Sequence, residues 1–548
     1  MPTAAPDQRP GSVYRERLTR DYVLAAASGV LLALSFPKFG HPALAWVALT
    51  PLLVALADVP RMGLIASTGP SPASRAFLLG LLAGGVYFCG TLYWIARVMA
   101  VYGELSRWVA VLINALLIAY LALFPAAFAA IVRRAIMAHG PAALIAAPVV
   151  WVATELGRTY LLTGFPWVLL GYSQAAVLPV AQLASVFGVY GVSMLVAAVS
   201  AALAWSTVAS GPADGASTPR AALSRLGPPV ITVALVLVVA WWGAARVARS
   251  DWTRQGDRVR VALIQGNVEQ GQKWDPGRGP AIFQDYLRLS RRAIAAGAEL
   301  LLWPESATPF LFEEDRAGAD VVRSLARQAR VSILLGSDQI EWRVENGHRL
   351  PDKYYNSAFL VRADGTSTGS YRKMHLVPFG EYVPLKELLF FAGPLVEAVG
   401  PFSAGTDPTL LPVNDHPVSV AICYEVVYPA LVRRFVNRGS ELLTTITNDA
   451  WFGATSAPHQ HFAQAAMRAV EEGRYLVRSA NTGISGIVDP YGRVVEQSDI
   501  FQQAMLVGEA RFLRTSTFYA RHGDVLAYAS LVITAGLLVL SRRSHTIW

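Results

Sequence analysis

The sequence predicts two joined parts, a bundle of transmembrane α-helices and a layered α/β domain inserted before the last helix. Three observations predict this. Of 548 residues, 53% are hydrophobic and only 16% are charged. Residues 22–245 contain 14 Asp, Glu, Lys and Arg, whereas residues 246–524 contain 62. In the charged part, short β-branched runs alternate with helical stretches, which is typical of sheets covered by helices.

Eight apolar stretches are candidates for membrane spans, since a helix needs about 20 apolar residues to cross the hydrocarbon. They are 22–36, 43–57, 76–95, 108–132, 142–157, 183–205, 229–245 and 525–541. Three are short, and prolines such as Pro51 and Pro125 interrupt the stretches, so their ends are defined only to within several residues. We therefore expect a leading segment 1–21, a seven-span domain 22–245, a charged domain 246–524 and a last span with its tail, 525–548.

The distribution of Lys and Arg predicts the orientation of these spans. With a cytoplasmic N-terminus, twelve of these residues near span ends lie inside and four outside, in agreement with the positive-inside rule. The first span resembles a signal peptide, but no small-residue cleavage site precedes Pro37, which favours a retained anchor. After seven spans the charged domain lies on the extracytoplasmic side, which in bacteria is the periplasmic face of the inner membrane.

The net charge of +9 does not indicate nucleic-acid binding. The excess lies largely in short Arg clusters beside apolar runs, such as Arg133 with Arg134 and Arg542 with Arg543, where membrane topology explains it. The two cysteines, Cys89 in a predicted span and Cys423 in the charged domain, are not expected to form a disulfide.

The charged domain contains a mixture of predicted strands and helices. The strands are Val259–Gln265, Leu300–Trp303, Ser332–Gly336, Ser357–Arg362, Ser419–Ile422, Leu442–Thr447 and Gly486–Asp489. The helices are Gly279–Ala296, Gly318–Ala329, Tyr428–Asn437 and His459–Glu472. We expect layered sheets with helices on their faces.

Three short segments carry groups suited to acyl transfer. Glu305 ends the apolar run before Ser306, Lys373 lies in the segment Tyr371–Glu381, and Cys423 ends the run that starts at Val420. A lone buried cysteine is more often a packing residue than a nucleophile. Here a carboxylate and a cation accompany it, which favours Cys423 as nucleophile, Glu305 as base and Lys373 as the cation that meets the oxyanion. The backbone N–H of Tyr424 is a second candidate for the oxyanion hole.

The surrounding motifs resemble those of a known family. The order Glu, Lys, Cys resembles the nitrilase, or carbon-nitrogen hydrolase, superfamily, which implies an α-β-β-α sandwich and a cysteine thioester. The segments Lys373–Glu381 and Thr447–Gly453, together with seven spans before the domain and one after it, resemble bacterial apolipoprotein N-acyltransferases. That resemblance implies transfer of an acyl chain from a phospholipid through Cys423 to the α-amine of a lipoprotein's S-diacylglyceryl cysteine.

The resemblance also assigns supporting residues. Glu305 takes the proton from the thiol and later from the amine, and Lys373 holds the oxyanion. Glu381, Tyr424 and Glu425 match supporting positions, and Trp274 matches a residue of a mobile arm near the substrate. Glu381 and Glu425 are better explained as structural partners that orient Lys373 than as proton carriers. Ordinary packing explains Trp274 as well as a role near the substrate does.

Other functions remain open at the sequence level. A membrane hydrolase would pass the thioester to water, and a transporter would use the spans alone, although no repeat or broken-helix pair indicates one. No nucleotide fingerprint is present, so no cofactor is expected. His459 and His461 stand two residues apart, which puts them on different faces of a helix and disfavours a metal site. The apolar segment Leu388–Val396 is expected to dip into the leaflet, and the protein is expected to be a monomer.

Overall fold

The computed structural model describes residues 10–57, 71–103, 105–208, 219–273, 275–378, 380–382 and 402–543. The predicted arm residue Trp274 and the apolar segment Leu388–Val396 lie outside the described residues.

Helices make up the N-terminal part of the chain. Those described before the α/β domain are α1 (Pro10–Ala33), α2 (Ala45–Ala48), α3 (Thr50–Ala57), α4 (Pro72–Leu92), α5 (Trp94–Tyr102), α6 (Arg107–His139), α7 (Ala147–Tyr160), α8 (Leu178–Ala181), α9 (Ala184–Val208) and α10 (Pro219–Arg249). The α/β domain contributes α11 (Gly279–Ala295), α12 (Arg316–Ala329), α13 (Pro429–Asn437), α14 (Ala457–Glu472) and α15 (Phe518–His522), and α16 (Val525–Arg543) follows it.

All eight predicted spans coincide with helical structure, but the helices differ in length. Among the described residues, α4, α6, α9, α10 and α16 are long and apolar enough to cross a membrane. The predicted span 43–57 is a short 3₁₀ turn that begins at Pro42, followed by α2 and α3, because Pro51 interrupts the apolar run. The predicted span 142–157 similarly begins as a 3₁₀ turn and becomes α7, which has 14 residues.

The α/β domain contains two facing mixed sheets. The first has the strand order β12-β1-β2-β3-β4-β5 and the second the order β11-β10-β9-β8-β7-β6. The strands are β1 (Asp257–Gln265), β2 (Leu300–Leu302), β3 (Ser332–Glu345), β4 (His348–Val361), β5 (Ser367–Arg372), β6 (Leu411–Val413), β7 (His416–Ile422), β8 (Leu442–Thr447), β9 (Leu476–Ala480), β10 (Gly486–Val488), β11 (Val494–Gln497) and β12 (Ala504–Phe512). In each sheet three neighbouring strands run parallel: β1, β2 and β3 in the first, and β7, β8 and β9 in the second.

Among the described residues, apolar cores lie between the two sheets and on their outer faces. Leu263 and Leu302 of the first sheet pack with Val420 and Val477 of the second. The outer face of the first sheet packs on α11 and α12. The result is the predicted α-β-β-α sandwich, since α13 and α14 lie on the other side of the second sheet.

The second helical layer of the sandwich shares its core with the membrane part. Ala465 and Val470 of α14 belong to the same apolar core as Val189 of α9. At this junction α9 is broken at Gly188, whose φ of +64° glycine adopts without steric cost. The break frees the N–H of Val189, which donates to Glu471 Oε1 at 2.8 Å. The α/β domain is therefore packed directly on the helices that precede it.

The core between the sheets generates a stability prediction. Val477 is fully buried there, whereas Val495 on the edge strand β11 is about half exposed. Val477→Ala is expected to lower the free energy of unfolding by about 2 kcal/mol, because it leaves a cavity. Val495→Ala, the matched control, is expected to change it by less than about 0.5 kcal/mol. Thermal unfolding of the detergent-solubilised variants, followed by tryptophan fluorescence, checks this, and equal melting temperatures would contradict it.

Candidate active site

The three predicted reactive side chains meet at one end of the sandwich. Glu305 lies just beyond β2, Lys373 directly follows β5, and Cys423 directly follows β7. Lys373 Nζ lies 3.5 Å from Glu305 Oε1, and both charges act on the Cys423 thiol. All three residues are buried. The carboxyl ends of strands from both sheets therefore bring together a carboxylate, an ammonium and a thiol.

Glu305 is held by hydrogen bonds to both of its carboxylate oxygens. Asn356 Nδ2 donates to Oε1 at 2.7 Å, and the backbone N–H of Asn448 donates to Oε2 at 2.8 Å. The ammonium of Lys273 donates to the carbonyl of Glu305 at 3.1 Å. Because the two carboxylate oxygens are bound from two different segments, and the backbone of Glu305 from a third, the carboxylate has one defined direction.

Lys373 lies between two carboxylates. Its Nζ donates to Glu381 Oε1 at 2.8 Å, in addition to its contact with Glu305. Burial alone would lower the pKa of Lys373, but Glu381 and Glu305 outweigh it and raise that pKa above its usual value. Lys373 therefore stays a cation at neutral pH, as an oxyanion partner must.

Glu381 is bound in turn by neighbouring donors. Asn356 Nδ2 lies 3.2 Å from Glu381 Oε1, and the backbone N–H of Val377 donates to Oε2 at 2.8 Å. Asn356 thus bridges the two carboxylates that flank Lys373. This geometry agrees with the interpretation of Glu381 as a residue that orients Lys373.

Cys423 occupies a strained turn between a strand and a helical turn. Its φ is +53°, a left-handed value that non-glycine residues rarely adopt and that costs about 1 kcal/mol or more. The residue before it is fixed, because the N–H of Ile422 donates to Glu425 Oε2 at 2.7 Å. Residues held in such a strained conformation are often found at active sites.

The Cys423 thiol is neutral at physiological pH. Burial raises its pKa well above the usual value, Glu305 raises it further, and Lys373 opposes the rise. A neutral thiol is a weak nucleophile, so reaction requires a group that accepts its proton. Glu305 is a buried carboxylate with that capacity.

Glu425 organises the backbone around the site. Its Oε1 accepts hydrogen bonds from the Tyr371 hydroxyl at 2.7 Å and from the N–H groups of Met374 and His375 at 2.7 and 3.0 Å. Burial raises the pKa of Glu425 to about 7, against the effect of these donors. Glu425 therefore joins the segment after Lys373 to the turn that carries Cys423.

Tyr424 faces aromatic residues of the membrane part. Its ring lies 6.3 Å from those of Phe165 and Trp167, which belong to the connection between α7 and α8. Its hydroxyl accepts a hydrogen bond from Tyr428, which packs against His375 with ring centroids 3.9 Å apart. Burial lowers the pKa of His375 to about 4, so that ring is neutral. One wall of the site is thus built from both parts of the chain.

The structure brings together six of the seven predicted site residues, and the seventh, Trp274, lies outside the described residues. Two contacts of Glu305 were not predicted. Asn356 lies on β4. A single amide side chain on a buried strand forms no motif from which a role at the site could be predicted. Asn448 lies in the segment Thr447–Gly453, whose sequence resembles the family, but it binds Glu305 through its backbone N–H and not through its side chain.

Two facing mixed sheets between helical layers, with these groups at the strand ends, are the arrangement expected of a carbon-nitrogen hydrolase. The family model described as Carbon-nitrogen hydrolase matches residues 260–515. That described as Apolipoprotein N-acyltransferase N-terminal domain matches residues 28–202. The fold is therefore nitrilase-like, joined to a second domain that is characteristic of a narrower family.

Relatives match the chain over nearly its whole length. The apolipoprotein N-acyltransferase of Geobacter metallireducens is 42% identical over 96% of this chain and 96% of its own. Those of Methylococcus capsulatus and Pseudomonas putida are 35% and 36% identical over 95% of this chain and 96% and 98% of theirs. The chain belongs to the apolipoprotein N-acyltransferase family. A solved amidase from Nesterenkonia sp. is 22% identical, covering 49% of this chain and 94% of its own, with a TM-score of 0.36.

The neutral thiol generates a prediction about pH. Glu305→Gln is expected to slow alkylation of Cys423 by iodoacetamide at pH 7 at least about tenfold, because the group that accepts the thiol proton is lost. The deficit is expected to shrink as the pH rises, because the fraction of thiolate formed by loss of the proton to solvent grows with pH and because loss of the Glu305 charge lowers the pKa of the thiol. The rate is measured by intact mass spectrometry, with Cys423→Ser to subtract reaction at Cys89.

Glu345→Gln, on the exposed hairpin between β3 and β4, is the control carboxyl change. It is expected to alkylate like the wild type at every pH. Equal rates for Glu305→Gln and the wild type at pH 7 would contradict the assignment of Glu305 as the proton acceptor.

Proposed function

We propose that this protein transfers an acyl chain from a phospholipid, through a thioester on Cys423, to the α-amine of the N-terminal S-diacylglyceryl cysteine of lipoproteins. The observation that carries the proposal is similarity to apolipoprotein N-acyltransferases over about 95% of the chain. The protein is therefore an N-acyltransferase of lipoprotein maturation, and the phospholipid donor and the residue roles are the finer part of the proposal.

In the first half-reaction the Cys423 thiolate attacks the ester carbonyl of the phospholipid. Glu305 takes the thiol proton, and the oxyanion is stabilised by the ammonium of Lys373 and the backbone N–H of Tyr424. The tetrahedral intermediate expels the lysophospholipid alkoxide, which receives the proton from Glu305. The products are a thioester and a lysophospholipid.

In the second half-reaction the lipoprotein amine attacks the thioester carbonyl. Glu305 accepts a proton from the amine, and the same two donors hold the oxyanion. Collapse of the intermediate expels the Cys423 thiolate, which takes that proton from Glu305. Supporting roles fall to Glu381 and Asn356, which hold Lys373 and Glu305, and to Glu425, which holds the turn of Cys423.

A transferase rather than a hydrolase is supported by the burial of the site. The thiol lies on a residue that is 7% exposed, and Lys373 is 1% exposed. Aromatic rings from the membrane part cover Tyr424 beside it. Exclusion of water lets the thioester persist until an amine arrives, whereas an open site would lose it to hydrolysis.

Attachment to the membrane suits these substrates. Both are anchored by acyl chains, and a soluble enzyme would have to extract them at a cost of about 0.8 kcal/mol per CH₂. We propose seven spans before the α/β domain and one after it, in the inner membrane, with domain boundaries at 22, 246 and 525 and the α/β domain in the periplasm. We propose that the protein acts as a monomer and needs no cofactor.

Intact-mass analysis tests the reaction. Wild-type protein incubated with phospholipid is expected to gain a hydroxylamine-labile acyl adduct that Cys423→Ala does not form, because the thioester needs the thiol. Addition of a diacylglyceryl-cysteine peptide is then expected to move the acyl group to the peptide amine. Release as free fatty acid, with the peptide unmodified, would indicate a hydrolase, and absence of an adduct would refute the nucleophile.

Labelling of single cysteines tests the orientation. In a Cys89→Ser, Cys423→Ser background, Val344→Cys lies on an exposed hairpin and Arg17→Cys on the exposed start of α1. A membrane-impermeant maleimide is expected to label Val344→Cys in spheroplasts and Arg17→Cys only after permeabilisation. The reverse pattern would invert the proposed topology.

A further inference from the structure

His461 is a buried histidine that lies directly behind Cys423. It lies on α14 and is fully buried. Its Nε2 lies 3.1 Å from the backbone carbonyl oxygen of Cys423. A carbonyl oxygen only accepts hydrogen bonds, so Nε2 carries the proton and donates it. The contact falls on the peptide group that joins Cys423 to Tyr424.

The other ring nitrogen is controlled by Arg478 and Asp449, which are both fully buried. Arg478 Nη2 lies 3.0 Å from His461 Nδ1 and 2.9 Å from Asp449 Oδ2. A guanidinium has donors only, so it pairs with the lone pair of Nδ1 and leaves the proton on Nε2. Asp449 Oδ1, at 3.1 Å from Nδ1, accepts the Thr447 hydroxyl at 2.8 Å.

The charges of this group balance. Burial raises the pKa of Asp449, but the Arg478 cation and the hydroxyl of Thr447, which donates to the carboxylate, act against burial, and the pKa is lowered to about 2, so Asp449 is an anion opposite Arg478. Burial and Arg478 both lower the pKa of His461, so the ring is neutral at physiological pH. Arg478 and Asp449 thus fix which nitrogen of His461 bears the proton.

The hydrogen bond from His461 Nε2 to the Cys423 carbonyl affects two features of the site. The Cys423 carbonyl that His461 binds belongs to a residue with a strained φ of +53°, so the hydrogen bond orients this peptide group, while Glu425 holds the turn itself through the N–H of Ile422. The same peptide group carries the N–H of Tyr424, one of the two proposed oxyanion donors. A hydrogen bond to a peptide carbonyl polarises its N–H, because linked hydrogen bonds strengthen one another.

We infer that His461, locked by Arg478 and Asp449 as an Nε2 donor, is a positioning residue that aligns and polarises the Cys423–Tyr424 peptide for oxyanion stabilisation. This inference rests on the proposed function. It explains why His461 is buried beside ionised groups and why its ring donates to a backbone atom.

Two substitutions of equal length separate the donor from the packing. The terminal amide of His461→Gln reaches the position of Nε2 and donates, whereas His461→Met fills similar space without a donor. His459→Gln changes a half-buried histidine two residues earlier on the same helix and is the control. All variants are purified as the full chain in phospholipid-containing micelles.

Two reactions of Cys423 are compared on each preparation. Thioester formation from phospholipid develops an oxyanion, whereas alkylation by iodoacetamide displaces iodide and develops none. We expect His461→Met to slow thioester formation roughly ten- to a hundredfold, in the range for impairment of one oxyanion donor. The rate of alkylation of His461→Met is expected to change less than about threefold. His461→Gln and His459→Gln are expected to form the thioester within about threefold of the wild-type rate, because the first donates from its side-chain amide and the second retains His461.

Three results would overturn the inference. His461→Met could form the thioester at the wild-type rate, or it could lose thioester formation and alkylation equally. The third is that His461→Gln forms the thioester as slowly as His461→Met. A wild-type protein that forms no thioester would refute the proposed nucleophile instead. ¹⁵N-histidine NMR of the wild type, with His461→Gln to assign the signal, tests the tautomer independently of folding of the variants. The protonated nitrogen is expected to be Nε2 between pH 6 and 8, and a proton on Nδ1 alone would refute the lock.

Discussion

The end of the sandwich that holds the reactive groups depends on one buried ammonium, that of Lys373. It is 2.8 Å from Glu381 and 3.5 Å from Glu305, and Asn356 donates to both carboxylates. A buried charge that loses its partner costs about 3–5 kcal/mol, so the three ionised groups are stable only together. The base and the oxyanion partner therefore share one network, which fixes their relative positions before any substrate binds.

The turn that contains Cys423 has a strained backbone, and neighbouring groups have to hold it in that conformation. Glu425 binds the N–H of Ile422 on one side, and His461 binds the carbonyl of Cys423 on the other. Glu425 also binds the backbone that follows Lys373. The strained backbone of Cys423 is thus held by the buried side chains of Glu425 and His461. These side chains resist rearrangement because their own hydrogen-bond partners are charged or backbone groups.

Much of the fold and the core of the site followed from the sequence, because the signals were local. Cys423 and Glu305 each follow a short apolar strand, and the eight apolar stretches all lie in helical structure. Lys373 follows β5, a polar strand that was not predicted, and only the motif that begins there indicated it. Strand β9 was not predicted, because the buried Arg478 in its middle has the appearance of a surface residue until Asp449 is known to face it. His461 was considered only as a metal ligand, since its partners are separated from it by 12 to 38 residues. Polar pairs between residues this far apart in the chain produce no periodic pattern in the sequence from which they could be predicted.

The membrane part is more than an anchor for this site. Trp167 packs its ring 5.4 Å from that of His461, and its Nε1 donates to Gln460 at 2.8 Å on the same turn of α14. Tyr102 of α5 donates to the carbonyl of Ala450, two residues after the N–H that binds Glu305. The helical N-terminal part of the chain, through α5 and the connection between α7 and α8, therefore contacts the segments that position both the base and the nucleophile. A soluble hydrolase must hold these segments by itself, whereas here the same interface that holds them also places aromatic rings against Tyr424, the residue after the nucleophile. Positioning of the site and exclusion of water from it therefore arise from one interface.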